Sequence, residues 1–180
     1  TSKDLVAEYV GQTSIKTNNV LERALGGVLF IDEAYSLSSK LSTYNEEAIA
    51  TLIKGMEDNR DNLVVTFAGY TKEMQDFINS NSGISSRIGY TLEFKDYTED
   101  DLIDILKGMV KKSGFEITEE ALNKVREIIK ANQNKPNFGN ARFIRNLFEK
   151  SVILHATNTK DKKSKKILRT LTEKDINIDN

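Results

Sequence analysis

The chain contains no cysteine, one histidine and one proline among its 180 residues. Without thiols there is no disulfide framework, no thiolate zinc site and no cysteine nucleophile. The lone histidine, His155, excludes a histidine-rich metal centre. No apolar run approaches the ~20 residues that cross a bilayer, and no basic-then-apolar leader opens the chain. An excess of one charge sign is missing too: 26 basic side chains face 27 acidic ones, for a formal net charge of −1. No global attraction to nucleic acid or to an anionic membrane follows from that balance, so any such contact has to be local. What is there is 38% apolar and 29% charged residues. That length and composition can bury the core of one ordinary domain, or of one full lobe with a smaller companion. The default expectation is a soluble, cytoplasmic protein without a membrane partner.

Two regimes run along the chain. Up to about residue 96 strands and helices alternate; beyond it the pattern is almost entirely helical. Val28-Leu29-Phe30-Ile31 is an apolar run between Gly26-Gly27 and Asp32-Glu33, and Leu63-Val64-Val65-Thr66-Phe67-Ala68 is a second, ended by Gly69. Neither alternates with polar residues, so both are expected as parallel strands buried on two faces. Between them Ala48, Ile49, Leu52, Ile53 and Met56 recur at helical spacing over residues 45–58, which predicts a strand–helix–strand crossover. Residues 90–94 alternate and predict a third strand.

Beyond residue 97 three helices are expected. Thr98 with Asp101 forms a capping arrangement ahead of the stripe Leu102, Ile105, Leu106 and Met109. Thr118 repeats the move ahead of Leu122, Val125, Ile128 and Ile129, and a third stripe carries Phe143, Leu147, Val152 and Leu154. These stripes read as ordinary core. Residues 160–166 hold five lysines and one aspartate, favouring a solvated connection over a phosphate-contacting patch.

The chemistry concentrates where an apolar strand ends in adjacent carboxylates, Ile31-Asp32-Glu33. The carboxyl ends of parallel strands face the crevice in which α/β proteins bind ligands. Asp32 suits a Mg²⁺ shell shared with phosphate oxygens, and Glu33 suits polarisation of the attacking water. Taken alone, the pair serves equally well as a helix N-cap.

The surroundings narrow that choice. The sequence resembles the AAA+ ATPases, and within them the clade of red-type rubisco activase and stage V sporulation protein K. The resemblance covers essentially the whole chain and is carried by several ordered segments. They are Leu5-Val6-Ala7-Glu8-Tyr9-Val10-Gly11-Gln12-Thr13, Gly26-Gly27-Val28-Leu29-Phe30-Ile31-Asp32-Glu33-Ala34-Tyr35 and Glu57-Asp58-Asn59-Arg60-Asp61-Asn62-Leu63-Val64-Val65. Ala68-Gly69-Tyr70, Ser85-Ser86-Arg87-Ile88 and Gly139-Asn140-Ala141-Arg142-Phe143 complete the set. Asp-Glu-Ala as a helicase box is excluded because Tyr35 holds its fourth position and no helicase-type basic motifs follow.

The resemblance implies an α/β fold: part of a three-layer α/β/α parallel sheet over residues 1–96, then a helical lid over 97–180. It implies ATP and Mg²⁺ as ligands, with Asp32 and Glu33 as the Walker B pair. Arg87 falls on the arginine finger that reaches a neighbouring subunit's γ-phosphate. Arg142 falls on the sensor-2 arginine, with Arg145 close by on the same helical face. Sensor 1 is left among Thr66, Tyr70 and Thr71, with Thr71 preferred. Tyr9, Val10 and Gly11 match the pore loop that grips a threaded polypeptide. The implied assembly is a hexameric homo-oligomer acting on a protein substrate.

One motif of the family is absent: no Gly-x-x-x-x-Gly-Lys-Ser/Thr occurs in these residues. The chain, opening at Thr1, therefore reads as the C-terminal portion of such a domain, lacking the phosphate loop and two strands. A non-catalytic oligomerisation scaffold is the alternative from another class; a nucleic-acid motor is disfavoured by the neutral composition.

Overall fold

The computed structural model describes residues 2–9, 11–38, 42–135 and 138–177. The chain divides into two compact units, residues 1–93 and 94–180.

The first unit runs α1 (Ser2–Leu5), α2 (Thr13–Ala24), β1 (Gly27–Ile31), a 3₁₀ turn (Ala34–Leu37), α3 (Thr43–Asp58), β2 (Leu63–Phe67), α4 (Thr71–Asn79) and α5 (Ser82–Ser85). Strands β1 and β2 pair in parallel, from Gly27 opposite Leu63 to Ile31 opposite Phe67, with α3 between them in the chain. Helix α3 starts where Ser42 Oγ accepts the Asn45 N–H at 3.2 Å. It buries Ala48, Ile49 and Leu52 against Leu21 and Ile31. Gly55 lets α2 approach: a Cβ there would lie 2.4 Å from Leu21 Cδ1.

Two expectations are corrected here. The strands are not buried on both faces: Leu29, Ile31, Leu63, Val65 and Phe67 join the core, whereas Val28, Phe30 and Val64 are exposed. Uninterrupted apolarity makes a strand fit for two-sided burial, but the second face still needs a covering layer, and the described residues supply one for a single face. Nor do residues 90–94 form a strand; Tyr90, Leu92 and Phe94 are 94%, 83% and 93% exposed. Alternation sets a side-chain period, yet a strand also needs a hydrogen-bonded neighbour, and none is present among the described residues.

The second unit packs α6 (Glu99–Lys112), α7 (Glu119–Asn132) and α8 (Ala141–Thr159), with a short parallel pair, β3 (Glu116–Ile117) and β4 (Thr170–Leu171). The capping box at Thr98 and Asp101 is formed in full, and Thr118 Oγ1 caps α7 through the Ala121 N–H at 3.3 Å. Arg126 of α7 binds Glu99 and Asp100 at the start of α6, both at 2.8 Å. Leu102, Leu106, Val125, Ile129, Ile144 and Leu171 lie in one core. Residues 160–166 are exposed throughout, as a solvated connection should be.

Candidate functional site

The carboxyl end of the β1–β2 pair is tied together by backbone: Ala68 N–H donates to Ile31 O at 2.9 Å, and Ala34 N–H donates to Ala68 O at 3.0 Å. Asp32 and Glu33 project from that end and are exposed. Glu33 is forced into the left-handed region, φ 50° and ψ 46°, and its N–H donates to Asp32 Oδ1 at 3.0 Å. Non-glycine residues hold that conformation only where their surroundings fix it. The fixing groups are visible on both sides. Behind Glu33, Ala34 and Leu37 are fully buried, and Asn45 Nδ2 donates to Ser36 O and Ser38 O, each at 3.1 Å.

Tyr35 and Tyr70 were not legible as a pair in the sequence, and they frame this end. Their rings stack at 6.4 Å, inclined by 29°. The Tyr35 hydroxyl has the Glu33 carboxylate as hydrogen-bond partner; partial burial first, and then that carboxylate's charge, holds the phenol above its ordinary pKa. Gly69 makes room for the ring, since a Cβ there would lie 2.7 Å from Tyr35 Cε1. A glycine directly after an apolar strand and directly before a tyrosine was the available signal. Thr71, the preferred sensor-1 candidate, is the first residue of α4, just past the same end of β2.

The donor set fits a divalent cation in one way. Asp32 and Glu33 enter no ion pair among the described residues. No cluster of three or more His, Asp or Glu side chains among those residues could hold a metal on its own. One or two carboxylates completed by phosphate oxygens and water are what Mg²⁺ ordinarily accepts. Asp32 is placed for that part; the phosphate cradle is not among these residues.

The other candidates are more dispersed. Arg87 follows α5 and is engaged within the unit: Nη2 lies 3.0 Å from Glu57 Oε2, and Nη1 donates to Gly83 O at 3.1 Å and Ser86 Oγ at 3.3 Å. Tyr9 is 67% exposed in a bend whose carbonyl accepts the Gln12 N–H, and Gly11 has φ +78° with open space around it. Val10 lies outside the described residues. Arg142 belongs to the second unit, exposed in the first turn of α8, with Arg145 one turn on. Asn140 precedes that helix at φ 47°; its side chain accepts the Tyr97 N–H at 3.1 Å and donates to Asp96 Oδ1 at 2.7 Å.

A parallel strand pair joined through a helix, with two carboxylates at its carboxyl end and a helical unit following in the chain, defines an α/β class of fold. The family follows from comparison. Residues 1–96 match the ATPase family associated with various cellular activities (AAA), and residues 98–180 match the AAA lid domain. The chain belongs to the AAA family. It is 42% identical over 182 residues to Protein CbbX of Cereibacter sphaeroides, covering 98% of this chain and 59% of that one. It is 37% identical over 181 residues to stage V sporulation protein K of Bacillus subtilis, at 97% and 56% coverage. Ribulose bisphosphate carboxylase/oxygenase activase of Cyanidioschyzon merolae is 46% identical over 153 residues, at 84% and 50%. The chain thus spans between half and three-fifths of the length of these relatives. The crystal structure of the FIGL-1 AAA domain aligns with TM-score 0.66 over 97% of this chain and 57% of that one. At 20% identity that likeness carries the fold alone. No helix among the described residues is long and apolar enough to cross a membrane.

Proposed function

We propose that this chain is the hydrolytic and lid portion of an ATP-driven motor that remodels a protein substrate by drawing it through the pore of a hexameric ring. Its large part is assigned to residues 1–96 and its lid to 97–180. The observation that carries the reading is the strained Glu33 beside Asp32 at the open end of β1. Asp32 holds Mg²⁺, which neutralises charge on the phosphate oxygens when bound. Glu33 orients the attacking water and accepts its proton. Thr71 is assigned to sensor 1 and Arg142 to the sensor-2 arginine, and Arg87 serves the adjacent subunit's site. Tyr9, Val10 and Gly11 contact substrate; an aromatic ring with an apolar neighbour grips polypeptide without demanding a sequence. A protein substrate is supported by one relative being, by name, an activase of another enzyme. The setting proposed is cytoplasmic, with no nucleic-acid partner.

As an isolated polypeptide the chain is proposed to be inactive, because these 180 residues contain no phosphate loop. The second reading is a scaffold that keeps the fold without turnover. Glu33→Gln in the full-length protein separates them. The motor retains Mg²⁺–ATP binding and loses about 10²–10⁴-fold in turnover. A full-length protein without ATPase activity, or a variant hydrolysing at the parental rate, sinks the motor reading.

A further inference from the structure

The contacts around Arg87 assign a second residue to its task. Helix α5 rests directly on α3: Ile84 is fully buried, and a Cβ on Gly83 would lie 2.6 Å from Ile53 Cδ1. Glu57 stands one turn beyond Ile53, on the same side of α3. The face that seats the short helix therefore also supplies the carboxylate 3.0 Å from Arg87 Nη2. Nη1 is already turned back onto Gly83 O and Ser86 Oγ. Three contacts, from two side chains and a backbone carbonyl, hold one planar group, while Nε and a second Nη2 hydrogen have no partner among the described residues. The Arg87 side chain is 31% exposed and the Glu57 side chain 54% exposed. At that exposure an ion pair adds little to stability. What it does supply is orientation, because a guanidinium fork binds a phosphate well only when its plane is already set.

We infer that Glu57 is a positioning residue for Arg87, fixing the guanidinium plane so that its remaining donors are ready for a phosphoryl oxygen of a neighbouring subunit's nucleotide. The inference rests on the reading of Arg87 as a finger. Glu57 does not touch nucleotide; it acts through Arg87. Its loss lets the arginine sample other rotamers, and the cost falls on the transition state, where the phosphoryl charge develops, more than on ATP binding.

The test uses the full-length protein, with ring assembly verified by sedimentation and thermal melting as a folding control. Glu57→Ala is expected to lower kcat by about 10- to 100-fold with KM for ATP within about twofold of the parent. Glu57→Asp, which keeps the charge, recovers part of that loss. Arg87→Ala leaves only a small residual rate, and adding Glu57→Ala to it slows that rate no further, as expected of two residues acting as one unit. A Glu57→Ala protein with unchanged kcat, or one that further slows Arg87→Ala, overturns the positioning role while leaving the finger reading intact. Arg87→Ala hydrolysing at the parental rate overturns the finger reading and the inference with it. A lower melting temperature together with a matching rise in KM assigns Glu57 to structure alone and overturns the inference too.

Discussion

His155 Nδ1 lies 3.0 Å from Asp175 Oδ2, and both side chains are buried. Asp175 also accepts the Thr172 N–H and hydroxyl, each at 2.8 Å, and Asn158 Nδ2 at 2.9 Å. With its oxygens so occupied as acceptors, Asp175 requires Nδ1 to donate. The other ring nitrogen, Nε2, is buried without a hydrogen-bond partner among the described residues. One carboxylate thus ties the C-terminal half of α8 to the 3₁₀ turn Glu173–Asp175, and the histidine serves structure.

That arrangement sets an acid limit on the second unit. Burial pushes Asp175 up, but the bonds from Thr172, Asn158 and His155 outweigh it and hold the carboxyl below its ordinary value. A lowered folded pKa means the stabilisation is present above the unfolded value, near 3.9, and is lost as pH falls through the folded value. Urea melts from pH 6 down to about 2.5 should therefore show a loss that sets in below about pH 5 and grows as pH falls further. Asp175→Asn should lose about 1–3 kcal/mol at neutral pH and show a flatter acid profile. Identical profiles for parent and variant would remove Asp175 from the account.

Gly55 offers a steric prediction. With a Cβ falling 2.4 Å from Leu21 Cδ1, Gly55→Ala has to displace the buried Leu21 side chain or move α2 away from α3. The expected cost is about 1–3 kcal/mol despite the better helix propensity of alanine. Leu21→Ala opens a cavity by itself, yet the double variant should be more stable than the sum of the two single losses. Strict additivity in thermal melts would mean that the helices do not meet there.

Glu33 makes a backbone prediction at a site proposed for catalysis. At φ 50° a Cβ is strained, and glycine is not. Glu33→Gly should therefore be about 1 kcal/mol more stable than Glu33→Ala, reversing the usual ranking of the two substitutions. Both should abolish hydrolysis in the full-length protein. Greater stability of the alanine variant would show that the backbone is not held left-handed.

Local signals in the sequence were reliable wherever short-range physics decides. The caps at Thr98 and Thr118, the face of α3 and the ends of β1 and β2 follow from residues within one or two turns of each other. The misses all need information from a distant segment. Whether Val28, Phe30 and Val64 are covered depends on a layer that their own pattern does not encode. Residues 90–94 have the period of a strand without a neighbour to bind. The buried face of α8 runs through Ile144, Phe148, Ser151 and His155, and its polar members are tolerated only because Asp175 and a backbone carbonyl meet them. At the candidate site Asp32 and Glu33 were legible because strand and acid are adjacent in sequence. Tyr35 over Gly69, and Glu57 on Arg87, join residues about thirty positions apart and emerged only from the fold.

Tyr9 separates a motor from a scaffold most directly. It is exposed, its bend precedes a glycine at φ +78°, and it makes no ring contact among the described residues. A ring so placed does little for stability, so Tyr9→Ala should leave melting and ring assembly of the full-length protein unchanged. It should also leave basal ATP hydrolysis largely intact, because the proposed hydrolytic groups, Asp32 and Glu33, sit at the end of β1. What it should lose is mechanical work, read as the unfolding of a fluorescent protein carrying an unstructured peptide tail. Tyr9→Phe should retain that work, since the grip asked of the residue is aromatic and apolar rather than a hydrogen bond from its hydroxyl. A scaffold predicts no unfolding by the parent and no difference among the variants. Parental unfolding by Tyr9→Ala would place the grip elsewhere, and a matching fall in ATPase activity would tie Tyr9 to the nucleotide cycle instead of the substrate.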